Sequence, residues 1–182
     1  MNRLFFTAVI IFLSLSCVCQ PNFNVTDPEK DFKEAKEYFI KDQFSLAYPL
    51  LKVLQDKYPE NTQSSHAYLN QDVEYYYIVC GLKLNQPVAE DAAQRYIDVA
   101  TNEPRQQMMS FHLAKYYFIK NDFPRAVVFY ERAGYDNLSN EEIADAKFEL
   151  AYSYFNLKQF EQARPLYLSL DSTFLNEASA SA

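Results

Sequence analysis

One pattern is written twice between Met109 and Leu170, and it limits what this chain can fold into. Leu113, Ala114 and Tyr117 are followed by Phe123, Ala126 and Tyr130; Leu150, Ala151 and Tyr154 are followed by Phe160, Ala163 and Tyr167. Counted from the first Leu, the offsets are 1, 4, 10, 13 and 17 in both copies, which lie 37 residues apart (163 − 126). Self-similarity at such a period marks a repeat array, in which each unit buries its apolar face against its neighbours.

Composition agrees with long helices joined by short turns. Of 182 residues only two are Gly, while Tyr and Phe number 15 each, so rings do much of the packing. Scarce Gly argues against tight hairpins and phosphate-cradling loops. A net charge of −7 with no basic block argues against nucleic acid and against docking on anionic lipid.

The periodicity continues through the rest of the chain. Asp27, Pro28 and Glu29 form a helix start, since Asp caps, Pro fits the first turn and acids suit the positive end of the dipole. Ala35 and Tyr38 line one face up to Lys41-Asp42; Phe44, Ala47, Leu51 and Leu54 mark a second helix that ends at Tyr58-Pro59. Residues 60–72 are polar. Ser64 or Ser65 is expected to cap a long helix through Tyr68, Tyr75 and Cys80 to Leu84, with Gly81 as its small residue and Leu84 in the Tyr place. Pro87 then begins a partner helix carrying Ala93, Ile97 and Ala100, although Ala92 and Tyr96 fit as well. The third pair starts at Glu103-Pro104, turns at Asn121-Asp122 and stops at Ala133-Gly134. Ser139 and Glu142 make a capping box for the fourth, which turns at Lys158-Gln159 and runs to about Leu170.

These residues resemble the tetratricopeptide repeat (TPR), a helix–turn–helix unit with a Leu-small pair and an aromatic on its first helix, then small and aromatic residues on its second. Leu113-Ala114, Tyr117, Ala126, Tyr130 and Ala133 carry the resemblance, as do Leu150-Ala151, Tyr154, Ala163 and Tyr167; Ala35, Tyr38, Ala47 and Pro59 match in part. The first-helix Trp of the family is missing and the step over residues 60–72 is enlarged. The resemblance implies an all-α, right-handed solenoid of about four antiparallel helix pairs over residues 27–170. Residues 171–182 are then a tail or the start of a further repeat.

Residues 1–19 read as a cleaved signal peptide and 20–26 as a short linker. Arg3 is followed by an apolar run over 4–15, which is shorter than the ~20 residues needed to span a bilayer. Two processing routes stay open: cleavage after Cys19, or cleavage before Cys17 with lipid attached to it. Plain export is preferred, because Leu15 stands one place too close to Cys17 and Ser14 stands where Leu is expected. The mature chain is then expected in the periplasm or at the outer membrane, and only the second route would give it a membrane contact, through the lipid on Cys17. There it resembles envelope repeat proteins of Gram-negative bacteria. Cys80, left unpaired, is expected to be a core residue.

In the family, first helices line a concave groove that binds peptide segments or proteins. The corresponding places here are Phe32, Lys36 and Phe39; Met108, Phe111, Lys115 and Phe118; and Phe148, Tyr152, Phe155 and Asn156. Phe recurs at a seven-residue spacing in 32/39, 111/118 and 148/155, one stripe per helix. Two readings stand side by side: an exposed stripe that docks an apolar segment, or a stripe packed against a neighbouring helix, the chain itself or a second copy. The expected function is a non-enzymatic protein–protein interaction scaffold. The alternatives are a spacer or homo-oligomerisation module of a longer protein, or an accessory domain of a larger enzyme or glycan-binding protein. No cofactor or metal is expected: His66 and His112 have no Cys or acidic cluster at ligand spacing, and glycine-loop and nucleophile-elbow motifs are absent from the sequence.

Overall fold

The computed structural model describes residues 27–57 and 67–180, with side chains over 27–57 and 71–170. The expectations for residues 1–26, and those for Tyr58, Pro59, Ser64, Ser65 and His66, lie outside the described residues. The fold is all-α: α1 (Pro28–Ile40), α2 (Phe44–Lys57), α3 (Ala67–Lys83), α4 (Ala89–Val99), α5 (Glu103–Ile119), α6 (Phe123–Ala133), α7 (Asn140–Asn156) and α8 (Phe160–Ala180), with no strand among the described residues.

Helix starts follow the capping chemistry of the sequence. The side chains of Asp27, Asn102 and Asp122 accept from backbone N–H groups of the first turns of α1, α5 and α6. Ser139 and Glu142 close the expected capping box on α7. Gly134, at φ 60°, stops α6.

Helices pack in chain order, and α1, α3, α5 and α7 also touch one another in succession; α2, α4, α6 and α8 make no such mutual contacts among the described residues. The first helices of the four pairs therefore form one continuous layer. Their second helices stand outside it.

One turn is used four times. Each first helix ends on a left-handed residue: Asp42 (φ 56°), Asn85 (54°), Asn121 (59°) and Lys158 (61°). After each, a backbone N–H reaches back to close the helix: Gln43 to the Tyr38 carbonyl (2.9 Å), Gln86 to Gly81 (2.8 Å), Asp122 to Tyr117 (2.9 Å) and Gln159 to Tyr154 (2.9 Å). This is Schellman closure, which satisfies carbonyls that the helix leaves open. In three of the four turns it is backed by an edge-to-face ring pair: Phe39–Phe44 (5.4 Å), Phe118–Phe123 (6.3 Å) and Phe155–Phe160 (5.4 Å). Such pairs contribute about 0.5–1.5 kcal/mol beyond the area they bury.

This recurrence corrects the register of the second pair. Gly81, not Leu84, stands where the other first helices carry Tyr. The helix α4 starts at Ala89 instead of Pro87, after a longer turn. Gly at that place allows a close helix approach: a Cβ on Gly81 would lie 2.9 Å from the Ala89 Cβ. Ala93, Tyr96 and Ile97 face the core of α4, whereas Ala92 and Ala100 are only partly covered.

The core falls into two clusters, and α3 serves both. Val73 and Cys80 join Phe32, Ala35, Ala47, Leu50, Leu51 and Leu54, whereas Tyr75, Ile78, Val79 and Leu82 belong to the larger cluster of the later helices. A helix covered on both faces has no polar stripe, which explains the near-continuous apolar run from Tyr75 to Leu82. Cys80 is fully buried, and burial pushes its thiol up to about 12, so it packs as a small inert side chain.

Buried tyrosines keep their hydroxyls paired. Tyr117 donates to Glu90 (2.9 Å) and accepts from Gln94 Nε2 (2.8 Å), and Tyr154 donates to Glu131. Both glutamates sit on the preceding second helix, so the same first-helix tyrosine joins pair to pair twice. The final helix, α8, runs on to Ala180 without a break at residue 171.

Candidate functional site

The expected groove residues fall into three environments. Phe32 and Phe111 are buried, so they offer nothing to a partner. Phe32 packs on Tyr76 of α3 (5.8 Å between centroids), and Phe111 lies against Tyr130 (6.3 Å) and His112 (5.5 Å). Phe39, Met108 and Phe118 are half-buried between helices. Phe39 meets Tyr76 at 4.8 Å, and Phe118 meets Tyr152 at 5.7 Å. Of the two readings of the stripe, the packed one describes α1 and α5, where its rings lie mostly against other parts of the chain.

The polar members are also engaged internally. Lys36 is exposed with its ammonium 5.6 Å from the centre of the Tyr76 ring, and Asn156 is exposed and donates to the Tyr152 carbonyl at 2.8 Å. Lys115 bridges α5 to α7 through Asp145 (2.7 Å) and Glu149 (3.7 Å). Burial works against its charge, but the Asp145 hydrogen bond and the field of Glu149 outweigh that and hold the ammonium above its usual range. Burial likewise pushes the Glu149 carboxyl up, with Lys115 only partly opposing it.

At α7 the situation reverses. Phe148 is 48 % exposed, Tyr152 40 % and Phe155 55 %, and Phe160 beside them is also open. Residues 148, 152 and 155 are spaced i, i+4, i+7 and share one face of the helix. The Phe148 ring lies 6.2 Å from Tyr152 and 6.3 Å from Tyr167, so the rings are contiguous. The cause is positional. The helices α1, α3 and α5 each pack against the next first helix, whereas α7 is followed by none among the described residues.

A second concavity lies between α3 and α5. It encloses about 280 Å³ and is lined by Leu82, Lys83, His112, Tyr116, Ile119 and Lys120, among others. Lys120 donates to the Tyr116 hydroxyl at 2.5 Å, and Lys83 is held below its usual range by burial and by Lys115. His112 shares a 3.1 Å hydrogen bond with the Tyr75 hydroxyl through Nε2, while its Nδ1 is shut from solvent without a partner. Burial, followed by the fields of Lys83 and Lys115, drives its pKa down to about 3, so the imidazole is neutral.

Among the described residues no group of three or more His, Cys, Asp or Glu side chains is placed to hold a metal, and no helix is long and apolar enough to cross a membrane. Sequence reasoning missed the part played by Phe160 and the cations Lys83 and Lys120. A signal for Phe160 was present: Tyr-Phe followed five residues later by Phe recurs at 38–44, 117–123 and 154–160. No protein-family model matches the chain, and comparisons with curated proteins and with solved structures find no match either.

Proposed function

We propose that the chain is a TPR-type, right-handed solenoid of about four helix pairs that acts as a non-enzymatic protein–protein docking scaffold, holding an apolar segment of its partner on the open aromatic face of α7. The observation that carries this reading is the exposure of Phe148, Tyr152 and Phe155 together on one helix face. Contiguous exposed rings at this density are costly in water unless something covers them. The repeat reading draws support from the turn closure shared by the four first helices and from their continuous layer. Export to the cell envelope belongs to the same proposal and rests on the leader-like run over residues 4–15.

The burial of Phe32 and Phe111 narrows the docking surface to α7 and its neighbours. The test is capture of partners from the native envelope by the normal chain and by a Phe148→Ser, Phe155→Ser double variant, both checked for folding by circular dichroism. Loss of a discrete partner in the variant supports the reading. Identical captures by the two proteins would refute it.

A further inference from the structure

The filled aromatic contacts of the earlier pairs show what shape fits the open one. Phe32 and Phe39 stand on α1 at the places that Phe148 and Phe155 occupy on α7, as judged from the shared turn that follows each helix. A single ring, Tyr76 of α3, lies 5.8 Å from Phe32 and 4.8 Å from Phe39 and bridges the pair. Tyr152 of α7 makes a related contact, bridging Phe118 of α5 and Phe123 of α6 across the turn that joins them, at 5.7 and 5.9 Å. In both cases one aromatic side chain projects from a helix laid along the previous first helix.

We infer that the face of α7 is a slot for an α-helix of another polypeptide, which inserts one aromatic side chain between Phe148 and Phe155. This rests on the docking reading above and specifies its partner. A helix fits because the slot continues the α1–α3, α3–α5 and α5–α7 interfaces, all of which are helix on helix. The aromatic fits because rings seat edge-on or tilted against rings, as Tyr76 does. A second copy stacked in the same direction does not supply it. At the place of Tyr76 its α1 carries Lys33, and at the place of Tyr152 it carries Lys36. Both are exposed and charged, so neither supplies the ring that Tyr76 supplies to Phe32 and Phe39.

The probe is a fluorescent peptide copying α3, residues 67–83, with Cys80→Ser, titrated against the full chain by anisotropy. Saturable binding is expected, weakened at least ~10-fold by Phe148→Ser plus Phe155→Ser in the chain and to a similar degree by Tyr76→Ala in the peptide. Absence of saturable binding, or binding unaffected by these substitutions, would overturn the inference. So would sedimentation showing that the chain dimerises alone and that the double substitution abolishes the dimer. If the peptide fails while partner capture still depends on Phe148 and Phe155, the docking surface stands and only the helical ligand is lost.

Discussion

Phe111 and Phe148 stand in the same place on successive first helices, 37 residues apart (148 − 111), yet one is 2 % exposed and the other 48 %. The difference is a neighbour. Phe111 is covered by packed side chains that include Tyr130 of α6, whereas Phe148 lies open on α7. Phe111→Ala is therefore expected to cost about 3–5 kcal/mol, and Phe148→Ser less than about 1 kcal/mol. Urea unfolding of both variants measures this directly, and equal losses would contradict the packing described.

Gly81 and Ala89 set how closely α3 and α4 approach. Gly81→Ala adds a methyl where only 2.9 Å is available, and it is expected to destabilise by about 1–3 kcal/mol. Combining it with Ala89→Gly removes the clash and should recover part of the loss, with a favourable coupling in the double-mutant cycle. Additive losses would place the constraint elsewhere.

Lys158 is the one turn residue of its kind that is neither Asn nor Asp, and it sits at φ 61°. A side chain with a Cβ is strained there, and Asn and Asp tolerate it best after Gly. Lys158→Gly should stabilise by about 0.5–1 kcal/mol, while Asn121→Gly should gain less. Thermal unfolding of the two variants separates these expectations.

His112 predicts a particular response to acid. Unfolded, it takes a proton near its ordinary 6.5; folded, it resists protonation down to about 3, chiefly because of burial and secondarily because of Lys83 and Lys115. Its contribution is therefore complete above pH 6.5 and is lost as pH falls towards 3. Between pH 7 and 4.5 the loss should be about 2–3 kcal/mol. Urea midpoints at the two values would show it, and His112→Gln should flatten that part of the slope.

Much of the fold was legible in the sequence, because local signals and packing agree. The caps at Asp27 and Ser139, the stop at Gly134 and the start at Glu103 are all written in the chain and all occur. The second pair was misread at Gly81 because close helix approach selects Gly, and the pattern that reveals the other pairs depends on Tyr at that place. The candidate site was harder. A Phe at seven-residue spacing reads the same whether it is covered, as on α1, or open, as on α7. Only the presence or absence of the next helix tells them apart, and that is a property of the assembly of pairs rather than of one helix.

Site-specific photo-crosslinking tests the docking surface most directly. A benzophenone amino acid would replace Phe155 in the native host, with the exposed Val128 of α6 as the control position. The account predicts a discrete adduct with one other protein from position 155 and none from 128. Adducts from both positions alike, or from neither, would contradict it.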